Sequence, residues 1–231
     1  MLDKASQLVL SQSPLLQGVG EEGADALIQC AESLSFSRDE WLFSQGDQAY
    51  WIYWVVSGWV KVCRFNAEGS ETVIHVIGPS ESFAEPAALG LGYYPASAVA
   101  ASACQVVRLE VAAYTDLLMK QPEKALAVIA RFSQRLRQMV AEREQMQVSS
   151  TAQRLASFLL DLSRSSAGTG SEGEGSLSLT LPYDKTLLAA RLSMKPESLS
   201  RAFAKLREQG VQSQGQHVAI ESRERLLAFL D

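Results

Sequence analysis

Short, mostly hydrophobic stretches separated by polar turns make up much of the first half of the chain. Aromatic and β-branched residues dominate these stretches, a composition typical of strands. The clearest are Trp41–Phe43, Trp51–Val56, Trp59–Cys63 and Thr72–Ile77. Glycine-containing turns separate them, so residues 35–109 are predicted to form a sandwich or a jelly-roll barrel. Residues 5–32 have a mostly helical pattern and precede it.

The spacing of apolar residues changes to three and four between Pro122 and Gln147, which predicts one long amphipathic helix. Its narrow apolar stripe comprises Leu126, Ile129, Phe132, Leu136, Met139 or Val140, and Met146. A long helix with so narrow a stripe usually packs on another helix. The stripe therefore favours a dimer contact through Ile129, Phe132, Leu136, Met139 and Met146. Packing of the helix on its own barrel is the alternative.

A second helical pattern covers residues 153–163, and a small, polar, glycine-rich stretch at 165–176 reads as a surface loop. After a short strand, Asp184 is a candidate N-cap for a helix that ends at Arg191. Pro196 is suited to open a second helix, which reaches about Gln209. Residues 192–194 form a tight turn between them. This is helix-turn-helix spacing, and residues 211–220 resemble a hairpin wing.

The second of these helices exposes residues whose chemistry suits DNA. Glu197 and Arg201 are four apart and share one face. A carboxylate accepts a hydrogen bond from cytosine N4, and an arginine donates two to guanine. A solvated salt bridge between the pair is the alternative reading. The wing that follows favours groove insertion, with Ser198 and Ser200 beside the pair.

Composition narrows the class of protein. The net charge of the chain is −5. From residue 149 onward, however, the chain has ten lysines and arginines and nine aspartates and glutamates, so any DNA-binding surface is a local patch. No stretch reaches the roughly 18 apolar residues of a membrane helix, and no secretory pattern opens the chain, which favours the cytoplasm. Three separated cysteines and two histidines argue against a disulfide framework, a zinc site or a metal-dependent enzyme on this fold.

Four short motifs precede the long helix: Gln45-Gly46-Asp47, Ser57-Gly58-Trp59-Val60, Glu68-Gly69 and Phe83-Ala84-Glu85. With the helix-turn-helix and the wing, their order and spacing resemble those of the Crp/Fnr family of bacterial regulators. The resemblance implies an α+β fold with three parts. These are a cyclic-nucleotide-binding-type β jelly-roll barrel (1–120), a dimerisation helix (121–148) and a winged helix-turn-helix domain (149–231).

The run Glu197-Ser198-Leu199-Ser200-Arg201 matches the E-x-x-S-R pattern of the Fnr-like branch. The resemblance carries base readout onto Glu197, Ser200 and Arg201, and it implies a TTGAT-like palindrome read by a homodimer. RNA polymerase is an implied partner, and activation of transcription is the implied outcome. Basic residues around the motif are candidate phosphate contacts, with ordinary solubilising charge as the alternative. They are Lys185, Arg191, Lys195 and Lys205.

The effector pocket differs from that of the nucleotide-binding relatives. There a glycine, an arginine and a hydroxyl residue hold the cyclic phosphate, whereas this chain has Ala84, Pro95 and Ala96 at those positions. A phosphate buried without partners costs several kcal/mol, so cyclic AMP is not expected to bind at the usual site. The predicted pocket comprises Phe83, Ala84, Glu85, Pro95, Ala96, Leu136, Met139 and Val140.

The remaining resemblance is to the nitric-oxide-responsive Dnr-like branch, which implies haem in an apolar cavity. His75 is the candidate ligand in the barrel, although a histidine without a metal role is the alternative. The function expected from the sequence is therefore a DNA-binding regulator gated by a small effector other than cyclic AMP. A cyclic-nucleotide-responsive or an effector-independent regulator of the same family is the alternative.

Overall fold

The computed structural model describes residues 2–66, 68–148, 150–165, 177–181 and 184–230. The chain divides into two compact units, Met1–Val140 and Ala141–Asp231. The domain limits expected at residues 120 and 148 stay a prediction. Most of the loop expected at 165–176 lies outside the described residues.

The N-terminal unit combines short helices with β-strands. Its helices are α1 (Lys4–Gln12), α2 (Pro14–Gln17), α3 (Gly20–Cys30), α4 (Val111–Lys120) and the long α5 (Pro122–Val148), which continues into the second unit. Its strands are β1 (Glu32–Phe36), β2 (Trp41–Phe43), β3 (Trp51–Ser57), β4 (Val60–Phe65), β5 (Glu71–Ile77), β6 (Ser82–Phe83), β7 (Ser97–Ala100) and β8 (Cys104–Glu110). A π-helical segment, Ala87–Leu91, lies between β6 and β7.

The strands form two four-stranded antiparallel sheets, ordered β1-β8-β3-β6 and β2-β7-β4-β5. One buried cluster joins the two sheets, with Val55 and Val106 from the first and Val60 and Ala98 from the second. The two sheets therefore enclose a common interior, and the predicted jelly-roll barrel is confirmed. We call the side of each strand that faces this cluster its inner face.

The sheet that contains β3 is buried on both sides. Tyr53 belongs to the interior cluster, whereas its neighbours Ile52 and Trp54 belong to a second cluster. Because successive side chains of a strand point to opposite faces, this alternation places the second cluster on the outer face of the sheet. Helices α1 to α4 cover that face, and Val128 of α5 is also part of the cluster.

Beyond the end of α5, the described residues of the C-terminal unit form three helices before its last strand pair and one after it. They are α6 (Thr151–Ser165), α7 (Lys185–Arg191), α8 (Pro196–Arg207) and α9 (Arg223–Ala228). The strands β9 (Leu177–Thr180), β10 (Val211–Gln214) and β11 (His217–Ile220) form an antiparallel sheet in the order β10-β11-β9. Helices α7 and α8 are the predicted helix-turn-helix pair, and β10 and β11 form the predicted hairpin wing.

Candidate DNA-binding and effector sites

Helix α8 divides cleanly into a buried side and an exposed side. Pro196 is its first residue, where the missing N–H costs no hydrogen bond. Leu199, Phe203 and Leu206 are buried at intervals of three and four, which fixes the inner side of the helix. The exposed side carries Glu197, Ser200, Arg201, Ala204 and Lys205, whereas Ser198 is half-buried.

The candidate base-reading residues lie on the exposed side of α8. The side chains of Glu197 and Arg201 are both exposed, and within the part of the chain that the structure describes neither forms an ion pair. The Ser200 hydroxyl donates to the Pro196 carbonyl at 3.0 Å, so this side chain is folded back on its own helix. Charged groups free of internal partners are the ones that a base edge can engage without breaking a protein contact.

The tight turn between α7 and α8 is stabilised by backbone hydrogen bonds. The Asp184 carboxylate caps α7, accepting from the backbone N–H groups of Thr186 and Leu187, both at 2.9 Å. Ser193 has φ +52°, a left-handed conformation that glycine often supplies in such turns. The Met194 N–H donates to the Ala189 carbonyl at 2.8 Å and closes the turn. The predicted cap and turn are both confirmed.

The predicted phosphate-contact lysines also make contacts within the protein. Lys185 Nζ donates to Ser213 Oγ of the wing at 3.3 Å and lies 5.0 Å from the centre of the Phe203 ring. It thus links α7, α8 and β10. Lys205 Nζ lies 5.8 Å from the Phe229 ring. Lys195 is exposed, and Arg191 is half-buried.

Two contributors to this site were missed by the sequence reasoning. Arg154 of α6 donates from Nη1 to the Leu192 carbonyl at 3.2 Å, which supports the turn from behind. Ser213 Oγ accepts the hydrogen bond from Lys185 Nζ. Both contacts join residues far apart in the chain, so no local pattern signals them. His217 lies on β11 of the wing, with its Nδ1 3.3 Å from Thr180 Oγ1.

Stacked aromatic rings occupy part of the barrel interior. The ring centres of Phe43 and Tyr94 are 3.7 Å apart, and those of Tyr53 and Phe83 are 5.1 Å apart. The Tyr94 hydroxyl donates to the Trp51 carbonyl at 3.0 Å. Burial raises the pKa of both tyrosines, so both stay neutral. Phe83, predicted to line the effector pocket, is thus 5% exposed and belongs to this aromatic group.

The segment after β6 keeps an unusual backbone geometry. Ala84 has φ +72°, so alanine holds the left-handed conformation at the position where the nucleotide-binding relatives have glycine. Glu85 follows and is half-buried. Burial raises the pKa of its carboxyl group, and a hydrogen bond with the Ser82 side chain partly opposes that effect.

The second half of the predicted pocket contains a contact that the sequence did not indicate. Ala96 is 6% exposed and Pro95 is half-buried. The Arg64 guanidinium donates from Nε to the Pro95 carbonyl at 3.1 Å. A guanidinium therefore lies against the residue that replaces the arginine of the nucleotide-binding relatives. Leu136, predicted from the long helix, is 63% exposed. The side chains of Met139 and Val140 lie outside the described residues.

The candidate metal and thiol chemistry of the barrel is limited. His75 lies on β5 and is exposed. Within the described part of the chain, no three His, Cys, Asp or Glu side chains are grouped closely enough to hold a metal ion. Burial raises the pKa of Cys63 to about 12 and that of Cys104 to about 11, so both thiols are protonated at neutral pH.

Comparison with known proteins defines the class. A model of the cyclic nucleotide-binding domain matches residues 33–121, and a model of the Crp-like helix-turn-helix domain matches residues 153–229. The chain is thus a regulator in which a cyclic-nucleotide-binding-type barrel precedes a DNA-binding domain. It belongs to the Crp/Fnr family of transcription regulators, as the sequence predicted.

Two relatives and two crystal structures illustrate the similarity. The chain is 30% identical over 199 residues to the cyclic AMP receptor protein of Thermus thermophilus, covering 86% of this chain and 88% of that protein. It is 29% identical over 203 residues to the nitrogen fixation regulation protein FixK of Azorhizobium caulinodans, covering 86% and 79%. These relatives are regulators rather than enzymes.

Among solved structures, a Ruegeria pomeroyi protein provisionally named as cyclic nucleotide binding is 37% identical with a TM-score of 0.83, covering 100% of this chain and 99% of that one. DNR from Pseudomonas aeruginosa is 28% identical with a TM-score of 0.60, covering 99% of both chains. None of the described helices is long and apolar enough to span a bilayer.

Proposed function

We propose that this regulator binds a TTGAT-like palindrome as a homodimer and is gated by a small effector other than cyclic AMP. The observation that carries the proposal is the position of Glu197 and Arg201, which are exposed on one side of α8 and have no ion-pair partner among the described residues. In helix-turn-helix proteins the second helix enters the major groove, and two-fold symmetric dimers read half-sites about one helical turn apart.

The exposed apolar stripe of α5 supports a dimer. Leu126 is 71% exposed, Ile129 61%, Phe132 42% and Leu136 63%. Val128, on another side of the helix, is buried against α1 to α4. The helix thus packs on its own barrel through one side and leaves the predicted stripe for a second copy. The side chains of Met139 and Met146, also predicted for this contact, lie outside the described residues.

Selection from random duplexes tests the DNA site. The wild-type chain is expected to enrich a palindrome with TTGAT-like half-sites, whereas Glu197→Ala and Arg201→Ala are expected to lose preference at one position each. A good bidentate contact is worth about 1–3 kcal/mol, or roughly 5- to 150-fold in preference. Lys205→Ala is the matched control on the same side of α8, since it is expected to weaken all sequences alike. Unchanged base preference in both variants would contradict the assignment.

The residues of the predicted pocket support an effector other than cyclic AMP. The relatives' glycine, arginine and hydroxyl residue are replaced by Ala84, Pro95 and Ala96, which removes the family's own phosphate partners. Calorimetry with cyclic AMP on the full chain tests this part, and micromolar binding in the barrel would replace the proposed effector class with a cyclic nucleotide. DNA binding of equal affinity with and without every tested effector would favour an effector-independent regulator.

Haem that binds nitric oxide is the second candidate for the effector system, and it is implied by the resemblance to the Dnr-like branch. His75 is the one histidine ahead of the wing, and it lies on the same face of β5 as the buried Ile77. The stacked rings of Phe43 and Tyr94, 3.7 Å apart, leave no gap for a porphyrin between them. A Soret shift on mixing with hemin that His75→Ala abolishes would support it, and no Soret shift would remove it.

A further inference from the structure

Arg64 lies on the inner face of the barrel. In the β4–β5 ladder, Val60 is opposite Ile77, Val62 is opposite His75 and Arg64 is opposite Thr72. Val60 and Ile77 are part of the interior cluster. Because every second residue of a strand shares a face, Val62 and Arg64 of β4 lie on the inner face as well.

The position of Phe65, the residue after Arg64, supports the inward orientation of Arg64. Phe65 stacks on Trp41, with ring centres 5.2 Å apart. Trp41 is opposite Val99, which lies outside the interior cluster, between its members Ala98 and Ala100. Phe65 is therefore on the outer face and Arg64 on the inner one. On β5, Ile74 is an extra residue with no partner on β4. His75 is therefore opposite Val62 and Thr72 is opposite Arg64, and both of these β4 residues lie on the inner face.

Exposure increases along this inner face from one end to the other. Val60 and Ile77 are 0% and 2% exposed, Val62 is half-buried, and His75, Arg64 and Thr72 are exposed. The inner face is thus buried at the Val60 end and exposed to solvent at the Arg64 end, which we call the open end of the barrel. A ligand entering the barrel at this end would meet a guanidinium and an imidazole.

The Arg64 side chain is held in place. Its Nε donates to the Pro95 carbonyl at 3.1 Å. Among the described residues, no carboxylate lies within salt-bridge distance of its guanidinium. Lys61 and Glu71, on the outer face, pair with each other at 2.8 Å and leave Arg64 uncompensated. A guanidinium fixed through Nε keeps its two amino groups for an oxyanion.

We propose that Arg64, with His75 and Thr72 beside it, forms an oxyanion site at the open end of the barrel that takes a carboxylate or phosphate group of the effector. In the nucleotide-binding relatives the loop before β7 supplies an arginine, and this chain has Pro95 at that position. In the proposed site, Arg64 of β4 supplies the guanidinium instead. It rests on the proposed effector-gated function, and it names the charge that the effector must carry. The neighbouring interior is aromatic and apolar, so the rest of the ligand is expected to be largely apolar.

Nuclear magnetic resonance of the arginine Nε–H groups tests the site in the full chain. The probes are inorganic pyrophosphate and acetate, added at constant ionic strength with sodium chloride as reference. The Arg64 signal, assigned by its loss in Arg64→Lys, is expected to shift and saturate, with at least about tenfold tighter apparent binding than at Arg38. Arg38 is the matched control, an exposed arginine of the same unit with Asp39 beside it. Equal responses at both arginines would overturn the site.

Binding experiments with Arg64→Gln, and with Arg38→Gln as control, separate the sources of the oxyanion. Hemin offers carboxylates, its dimethyl ester offers none, and cyclic AMP offers a phosphate. A loss in Arg64→Gln of at least about tenfold for hemin but not for its ester assigns a carboxylate, and the same loss for cyclic AMP assigns a phosphate. If Arg64→Gln binds pyrophosphate and all three ligands as tightly as wild type, the site is wrong.

The same preparations distinguish failure of this site from failure of the proposed function. Enrichment of the palindrome without any Arg64 response would leave the regulator standing and remove the oxyanion site. A saturable Arg64 response in a chain that enriches no palindrome would leave the site standing and remove the proposed function. Cyclic AMP binding that depends on Arg64 would keep the site and correct the effector class.

Discussion

Ser193 occupies a backbone conformation that is costly for any residue with a Cβ. Its φ of +52° costs about 1–2 kcal/mol for a non-glycine residue. Ser193→Gly removes that strain but adds roughly 0.5–1 kcal/mol of unfolded-state entropy. We therefore expect a gain of up to about 1 kcal/mol in the unfolding free energy, measured by urea denaturation of the full chain. Ser198→Gly, inside α8, is the control and is expected to destabilise; equal effects would contradict the strain argument.

Glu85 makes the stability of the barrel depend on pH. Because burial raises its folded-state pKa above the ordinary value of 4.5, ionisation is less favourable in the folded chain than in the unfolded one. The resulting penalty is absent below pH 4.5, develops as pH rises through the raised folded pKa, and is complete above it. Glu85→Gln is expected to be more stable than wild type at pH 7.5 and no more stable at pH 4, measured by thermal unfolding. An advantage that is independent of pH would contradict this cause.

Some residues of the two sites are predictable from neighbouring sequence, and others are not. Asp184 and Pro196 act within one helical turn, so a local pattern is enough to place them. Arg64 acts through a contact with Pro95, 31 residues away. Its inward direction follows from the strand register, which the sequence alone does not define.

At the scale of the elements, the exposed apolar stripe of α5 can be tested as the dimer contact. Phe132→Glu places a charge in the exposed apolar stripe and is expected to dissociate the proposed homodimer, because an unpaired carboxylate in an apolar contact costs several kcal/mol. Sedimentation equilibrium measures the change. Ser133→Glu, on the neighbouring exposed position, should leave the association unchanged. A Phe132→Glu chain that remains dimeric would move the subunit contact elsewhere.

Elements with a marked hydrophobic pattern were predicted with accurate limits, whether they are long or short. The helix expected at 122–147 is observed as Pro122–Val148, and the strand at Trp41–Phe43 has the predicted limits. Strand β7 (Ser97–Ala100) was not predicted individually. All four of its residues are buried and mostly small, so it has neither the polar alternation nor the bulky side chains that indicate a strand. Its position between β2 and β4 is a tertiary property.

At the scale of the whole molecule, the negative net charge requires that DNA attraction be local. Lys195 is exposed at the start of α8, whereas Lys120 is exposed at the end of α4 in the other unit. Replacing a lysine that contacts one phosphate reduces the slope of log affinity against log salt by about 0.9. Lys195→Ala is expected to show this reduction with unchanged base preference, and Lys120→Ala to show none, as measured by fluorescence anisotropy. An unchanged slope in Lys195→Ala would remove that lysine from the phosphate contacts.

The three cysteines differ in accessibility, and this difference makes the chain convenient for spectroscopy. Cys63 and Cys104 are buried with pKa values of about 12 and 11, while Cys30 at the end of α3 is exposed. A maleimide spin label added to the native protein at neutral pH therefore reacts at Cys30. Each subunit of a homodimer then carries a single label, and the distance between the two labels reports the arrangement of the barrels with and without effector, with no cysteine removed.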